Sequence, residues 1–374
     1  MRYKILFISS WFPNKLEPTN GNFVQRHAEA AALFHDVEIL HAIGDFHQKE
    51  KYFFDDTIIN GIRTLIVYYR NTKNPLLNFY RRMKAYQLGY QKMQKPDLVH
   101  GNVLHNNLFF AVYLKKKFGI PFVVTEHWTV LRKINEKITP NSVKRTARII
   151  GNRANHLLPV SKDLSQGLQN LGIKTKMKVI PNVVNTHLFL PKKGENQIPV
   201  FIHISNLIPR KNADKILQVA IKLWEKGEKF RLQIGGDGDI SSLMKIRNNT
   251  NFKENIEVFG IQTLPQIADR MQRSDCFILF SSDENQPCVI AEAFASGISV
   301  ISTNVGGIGE FFPPNFGILL PKVDEDLLEK AMLQFMHERN RATKDEFASY
   351  AQENFSQEAI GKQLSEIYKA VLYV

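Results

Sequence analysis

Short apolar runs alternate with longer amphipathic ones along the whole chain of 374 residues, in two successive series. Strands separated by helices cannot pair as hairpins. Each must cross over to lie parallel to its neighbour, so a doubly wound parallel α/β sheet is the fold class. In the first series residues 5–9, 36–41, 62–68, 97–100, 121–125 and 156–160 read as strands. Helices are expected at 22–34, 75–94, 107–117 and 139–153, and Ser161 is placed to cap another that reaches about Leu171. Residues 185–198, with Pro191, Lys192, Lys193 and Gly194, then Pro199, read as a linker. A second series begins there, with strands at 199–204, 231–236, 256–260, 277–280 and 300–302. The reading is therefore two domains, 1–185 and 186–356, followed by a last helix in 357–374.

Bulk properties narrow the class. A chain 44% apolar and 23% charged is globular, and no apolar run approaches the roughly 18 residues of a spanning helix. Met1–Lys4 leads directly into a strand, so no signal peptide is read. Two cysteines, Cys276 and Cys288, imply no disulfide framework and fit a reducing cytoplasm; neither has metal-ligand spacing. The charge of +13 is lopsided. Residues 1–185 hold 28 Lys and Arg against 12 Asp and Glu, whereas 186–374 hold 21 against 24. Basic clusters interleaved with apolar residues, as in Leu76-Leu77-Asn78-Phe79-Tyr80-Arg81-Arg82, suit a helix lying on anionic lipid. Basic helices facing water explain the same pattern. Nucleic acid is not expected, because no binding motif accompanies the charge.

Glu284 and Glu292 lie eight residues apart, after the apolar run Asp275–Phe280 and around Pro287, which opens a helix. Glu284 is thus placed in a loop at a helix N-terminus and Glu292 inside that helix. Free backbone N–H groups in the turn 286–288 would face an anion, and the carboxylates would accept from sugar or ribose hydroxyls. A cap and a solvated acid are the plainer alternative. Val300–Asn304 then forms a strand and Val305-Gly306-Gly307-Ile308-Gly309-Glu310 a glycine turn. Arg210 and Lys211 sit at another strand-to-helix turn, where adjacent cations suit a diphosphate. Gly235-Gly236-Asp237-Gly238-Asp239 is a weaker signal, since glycines also serve tight turns.

The block from Glu284 to Glu310 resembles the signature of the family-4 retaining glycosyltransferases, whose two acids read E-x7-E. The resemblance implies the GT-B fold, two Rossmann-like domains facing each other across a cleft, with the last helix returning to the first domain. It implies that Glu284 meets the donor sugar and Glu292 the ribose, and that Asn285, Gln286, Pro287 and Cys288 line the diphosphate. Lys211 matches the family lysine. Asn206 stands where the family has an arginine, and Arg210 is the nearest substitute. In the first domain Gly21, before a helix, corresponds to the glycine that touches the diphosphate, and His127, after Thr125-Glu126, to the histidine near the reacting carbon. Glu126 could orient His127 or reach the acceptor; His100 and His105 are weaker candidates. Residues 180–185 match the family's hinge, a structural landmark.

The activity this implies is hexosyl transfer from a nucleotide-diphosphate sugar to an acceptor hydroxyl with retention, and with no metal or other cofactor. The partners expected are the nucleotide sugar, a glycan or lipid-linked acceptor in surface polysaccharide biosynthesis, and the anionic inner face of the cell membrane, with the enzyme peripheral on its cytoplasmic side. A nucleotide-sugar epimerase of the same fold, or a non-catalytic sugar-nucleotide or membrane-binding protein, are the competing classes. Acceptor-free turnover separates the first; loss of turnover on changing Glu284 separates the second.

Overall fold

The computed structural model describes every residue except Lys192, Lys193, Glu195, Arg339, Asn340, Arg341 and Val374, so parts of the expected linker and the end of the last helix lie outside the described residues. The chain divides into two compact units. One is Met1–Val183 joined by the residues from Gln357 onward, and the other is Val184–Ser356.

The first unit runs β1 (Lys4–Ser9), α1 (Asn22–Ala32), β2 (Asp36–Asp45), β3 (Tyr52–Ile59), β4 (Ile62–Arg70), α2 (Pro75–Tyr90), β5 (Leu98–Asn102), α3 (Phe109–Phe118), β6 (Phe122–Glu126), α4 (Asn141–Gly151), β7 (His156–Pro159) and α5 (Lys162–Asn170). Its sheet has the order β3-β4-β2-β1-β5-β6-β7. All neighbours are parallel except β3, which pairs antiparallel with β4. This strand was not expected. Its Asp55, Asp56 and Thr57 lie on a part-exposed edge and break the apolar pattern. The Asn60-Gly61 pair between Ile59 and Ile62 was the available signal. Both residues have positive φ, 49° and 79°, as a two-residue hairpin turn needs.

The second unit runs β8 (Val200–Ser205), α6 (Ala213–Glu225), β9 (Arg231–Gly236), α7 (Ser241–Asn248), β10 (Ile256–Phe259), α8 (Leu264–Gln272), β11 (Cys276–Leu279), α9 (Cys288–Ala295), β12 (Ser299–Thr303), β13 (Gly317–Leu320), α10 (Glu325–Glu338) and α11 (Lys344–Phe355). Its sheet, β10-β9-β8-β11-β12-β13, is parallel throughout. With β3 set aside, both sheets share one strand order. It reverses direction between β1 and β5 in the first unit and between β8 and β11 in the second. Loops diverge at such a switch point and leave a crevice at the carboxyl ends of the strands. Parallel strands covered by helices on both faces read as unbroken apolar runs, and Phe277, Ile278 and Leu279 are wholly buried accordingly.

The last helix, α12 (Gln357–Leu372), packs on α1. Ile360, Leu364, Ile367 and Tyr368 enter the same apolar cluster as Phe7, Val24 and Ala28. Close approach is possible because position 361 is glycine: a Cβ there would stand 2.3 Å from the Ala30 carbonyl oxygen. The buried Tyr368 hydroxyl lies 2.5 Å from His100 Nδ1, while His100 Nε2 meets the Thr125 hydroxyl at 2.6 Å. His100 thus pins α12 to the sheet. Gly361→Ala should cost about 2 kcal/mol through overpacking, read as a lowered melting temperature, while Gly260→Ala, where nothing lies within 4 Å, should melt close to wild type.

Candidate functional site

In the second unit, the loops after β8 and β11 flank the switch point and are stitched together. Ser282 N–H donates to the Arg210 carbonyl at 2.9 Å, and Asn212 Nδ2 donates to the Phe280 carbonyl at 2.8 Å. The β8 loop is bent by two residues in the left-handed region, Leu207 (φ 51°) and Asn212 (φ 50°). Neither is glycine, so the loop stores backbone strain of about 1 kcal/mol or more at each. Strain persists where surrounding bonds over-determine it. Here Ser205 Oγ accepts the Leu207 N–H at 3.1 Å and itself meets His203 Nε2 at 2.9 Å, while His203 Nδ1 meets the Ile278 carbonyl at 2.8 Å.

The bend turns Lys211 inward. Its ammonium forms a short hydrogen-bonded ion pair with Glu284 Oε1; the two side chains are 10% and 7% exposed. Arg210 donates to the Asp283 carbonyl and stands 3.9 Å from Glu284 Oε2. Three expected residues, Arg210, Lys211 and Glu284, are therefore brought together. Asn206 is exposed and forms no bond to them. An ammonium has three donors, so Lys211 can hold Glu284 and still offer N–H to an oxyanion.

Pro287 is the cap of α9 rather than its first residue, and Cys288 begins the helix. Proline carries no N–H, so the turn 286–288 has donors at Gln286 and Cys288 and not at all three positions. Asn285 and Gln286 are buried, and the Asn285 carbonyl accepts the Gly307 N–H at 3.0 Å, which fixes the glycine turn after β12 against this loop. Glu292 lies one turn into α9 and is 3% exposed. The two glycines that end β9 are steric. A Cβ at Gly235 would fall 1.9 Å from the Phe259 carbonyl oxygen, and one at Gly236 the same distance from that of Ser205. Phe259 is a core residue beneath Arg270, whose guanidinium lies 4.0 Å above its ring.

In the first unit, Gly21 takes φ 76° at the start of α1, and a Cβ there would meet the Trp11 carbonyl at 2.5 Å. Phe23 and His27 on α1 carry the next contact: the His127 ring lies 4.3 Å from Phe23 and 5.2 Å from His27, centroid to centroid. Gly21 and His127 are thus joined through one helical turn. Burial, then the nearby His27, hold His127 well below the usual histidine range, and a hydrogen bond to Asn182 opposes this. His127 is a neutral imidazole at pH 7. Asn182, read from the sequence as part of a structural hinge, is therefore a partner of the candidate site.

Glu126 is wholly buried. Its Oε1 accepts the N–H groups of His127 (2.9 Å) and Trp128 (2.7 Å), and its Oε2 that of Leu104 (2.5 Å). Burial pushes its carboxyl up to about 7 and outweighs those three bonds. It orients the turn carrying His127. Sequence reasoning missed His203, whose signal was a polar side chain inside an apolar strand. Among the described residues no group of three or more His, Cys, Asp or Glu is placed to hold a metal ion.

Known proteins share this plan. The model for Glycosyltransferase Family 4 matches residues 22–188, and that for Glycosyl transferases group 1 matches residues 189–354. The chain is 23% identical over 363 residues to the putative teichuronic acid biosynthesis glycosyltransferase TuaC of Bacillus subtilis, covering 90% of each. It is 26% identical over 243 residues to the phosphatidylinositol N-acetylglucosaminyltransferase gpi3 subunit of Schizosaccharomyces pombe, spanning 62% of this chain and about half (52%) of that one. The structure of Anabaena HepE in complex with UDP and glucose matches with a TM-score of 0.76 and 17% identity, covering 99% of this chain and 100% of that one. Two Rossmann-like domains on this plan define the class as a GT-B-fold glycosyltransferase. Within it, the chain belongs to the related group 1 and family 4 glycosyltransferases.

Burial lowers His27, His41 and His203 to about 4 each. A base whose folded pKa is depressed gives up stability as pH falls from its unfolded value near 6.5 towards 4. Glu126 acts in the opposite sense, its contribution fading as pH rises from 4.5 to about 7. The three histidines outnumber it. The melting temperature should fall steeply between pH 6.5 and 4, and a flat profile there would contradict the buried neutral imidazoles.

Proposed function

We propose that the protein is a retaining hexosyltransferase that moves a sugar from a nucleotide-diphosphate donor to an acceptor hydroxyl. The observation that carries the reading is the buried Lys211–Glu284 pair at the switch point of the second sheet, with Arg210 beside it. A cation for the leaving diphosphate and a carboxylate for sugar hydroxyls are what such a donor requires in one place.

In this reading the bond from the anomeric carbon to the diphosphate oxygen breaks as the acceptor oxygen bonds that carbon on the same face. The acceptor proton passes to the departing phosphate, so no separate protein base is used. Lys211, Arg210 and the N–H groups of Gln286 and Cys288 stabilise the charge that develops, in place of a metal. Glu284 accepts from the hexose hydroxyls and Glu292 from the ribose, with Asn285 and Pro287 shaping the wall between them. From the first domain, the Gly21 N–H meets the diphosphate and the neutral His127 meets the hexose near the reacting carbon. Asn206 is the departure from the family pattern, and Arg210 supplies the charge that the family's arginine carries there.

The HepE complex makes UDP-sugars the first donors to test. The acceptor proposed is a lipid-linked glycan in surface polysaccharide biosynthesis. The likeness to TuaC and to a phosphatidylinositol glycosyltransferase subunit supports it, as does the basic first domain. No helix among the described residues is long and apolar enough to cross a membrane. The basic first domain would serve an electrostatic, interfacial attachment to the inner membrane face.

Glu284→Gln should reduce transfer by at least about a hundredfold while leaving calorimetric binding of free UDP within a few-fold of wild type. Unchanged turnover in this variant would remove the assignment. Turnover of the donor without any acceptor, giving an epimeric sugar, would favour an epimerase instead. The rate should be the same in EDTA.

A further inference from the structure

Arginines around β2, β4 and α2 of the first domain differ in what they meet; beyond β6, Arg132 is paired with Asp163. At the amino ends of β1, β2 and β4, two of them are neutralised. Arg63 bonds Asp56 at 2.8 Å and Glu38 at 3.0 Å, and Arg2 bonds Asp36 at 2.8 Å. At the carboxyl ends Arg70, Arg81 and Arg82 meet no carboxylate among the described residues. Arg70 donates to the Gln48 and Lys49 carbonyls (3.2 and 2.6 Å), and Arg81 to the Arg70 carbonyl (2.7 Å). Arg82 donates to the Tyr69 hydroxyl (3.1 Å) and to the side-chain oxygens of Asn106 (2.6 Å) and Asn107 (2.5 Å). Asp45, opposite Arg70 in the β2–β4 register, instead accepts the His47 N–H at 2.8 Å.

A half-buried guanidinium surrounded by neutral oxygens has lost part of its hydration without gaining a counter-charge. Its fork is already oriented, so a phosphate or carboxylate would meet it at little entropic cost. The strands' carboxyl ends are also where the loops of this sheet open.

Next to Arg82 lies an aromatic surface. His105 meets Asn107 Oδ1 at 3.3 Å, its ring is 6.0 Å from Trp128, and Trp128 is 5.6 Å from Trp11, edge to face. All three rings are only partly buried. The third tryptophan, Trp224, shows the contrast: it is 3% exposed and stacks on Phe230 within the core. Half-covered indoles keep apolar faces available, and a pyranose ring offers a matching face of C–H groups.

We propose that Arg82, with Trp128 and Trp11 beside it, recognises an acceptor whose reacting sugar carries or adjoins an oxyanion, either a lipid-linked diphosphate or a uronate carboxylate. This rests on the transferase reading above and narrows its acceptor. The indoles take the sugar ring and the guanidinium takes the charge.

The test uses the full chain and the sugar nucleotide that most raises its melting temperature. Three acceptors are compared: farnesyl-diphosphate-linked N-acetylglucosamine, methyl glucuronide and neutral octyl glucoside. Wild type should use one of the anionic acceptors with kcat/KM at least about tenfold above the neutral one; which one it prefers separates lipid-linked from uronate chemistry. Arg82→Gln should raise KM for that acceptor about tenfold or more, with kcat less affected. Arg82→Lys, which keeps the charge, should recover most of the preference, as mere loss of the Asn106 and Asn107 bonds would not predict. UDP binding by calorimetry controls for folding of the donor side. Equal use of charged and neutral acceptors by wild type, or an anionic preference that survives Arg82→Gln, overturns the subsite. Failure to bind any nucleotide or to release one from any donor overturns the transferase reading, and the subsite with it.

Discussion

A buried ammonium facing a buried carboxylate is the interaction around which the second domain is arranged. Lys211 and Glu284 come from loops seventy-three residues apart in sequence, and each would be expensive to bury alone. Their neighbours hold the geometry. The two left-handed residues of the β8 loop, the His203–Ser205 bridge beneath it and the Asn212 bond to Phe280 all fix where Lys211 stands. A buried pair of this kind contributes little net stability, since desolvation offsets attraction. Such a pair makes physical sense where the charges have a second task, and the proposed nucleotide-diphosphate donor would supply one.

The first domain uses a different device at the corresponding edge of its sheet. There the central carboxylate, Glu126, has no cation in contact among the described residues; it is held by three backbone N–H groups drawn from two loops. The result is a rigid turn that fixes the approach of His127 to α1. The neighbouring imidazole stays uncharged, so this face presents neutral hydrogen-bonding groups beside His127 and unneutralised guanidiniums farther along, near Arg82.

Much of this was legible in the sequence, and for reasons that can be named. Period and crossover length dictate parallel α/β sheets, and Glu284 and Lys211 stand out as opposite charges at two strand-to-helix turns, with Glu292 eight residues on inside the helix. What escaped depends on pairing across distance. The edge strand β3 lacks a continuous apolar pattern because only one of its sides meets the core, and its Asn60-Gly61 turn was the clue passed over. Pro287 reads equally well as a cap or as a first helical residue, and the backbone angle decides. No linear pattern distinguishes Arg63, which is neutralised by Asp56 and Glu38, from Arg82, which is not. That difference exists only once the sheet is assembled.

The return of α12 to α1 has a bearing on how the protein is made. The groove along α1 that receives Ile360, Leu364 and Tyr368 is completed by a segment synthesised after the entire second domain. Until then the first domain's sheet exposes an apolar flank with the His100 imidazole at its floor, while Val184–Ser356 is free to condense as an uninterrupted unit. Maturation should thus proceed out of order along the chain, the later lobe sealing first and the earlier one waiting for its missing helix.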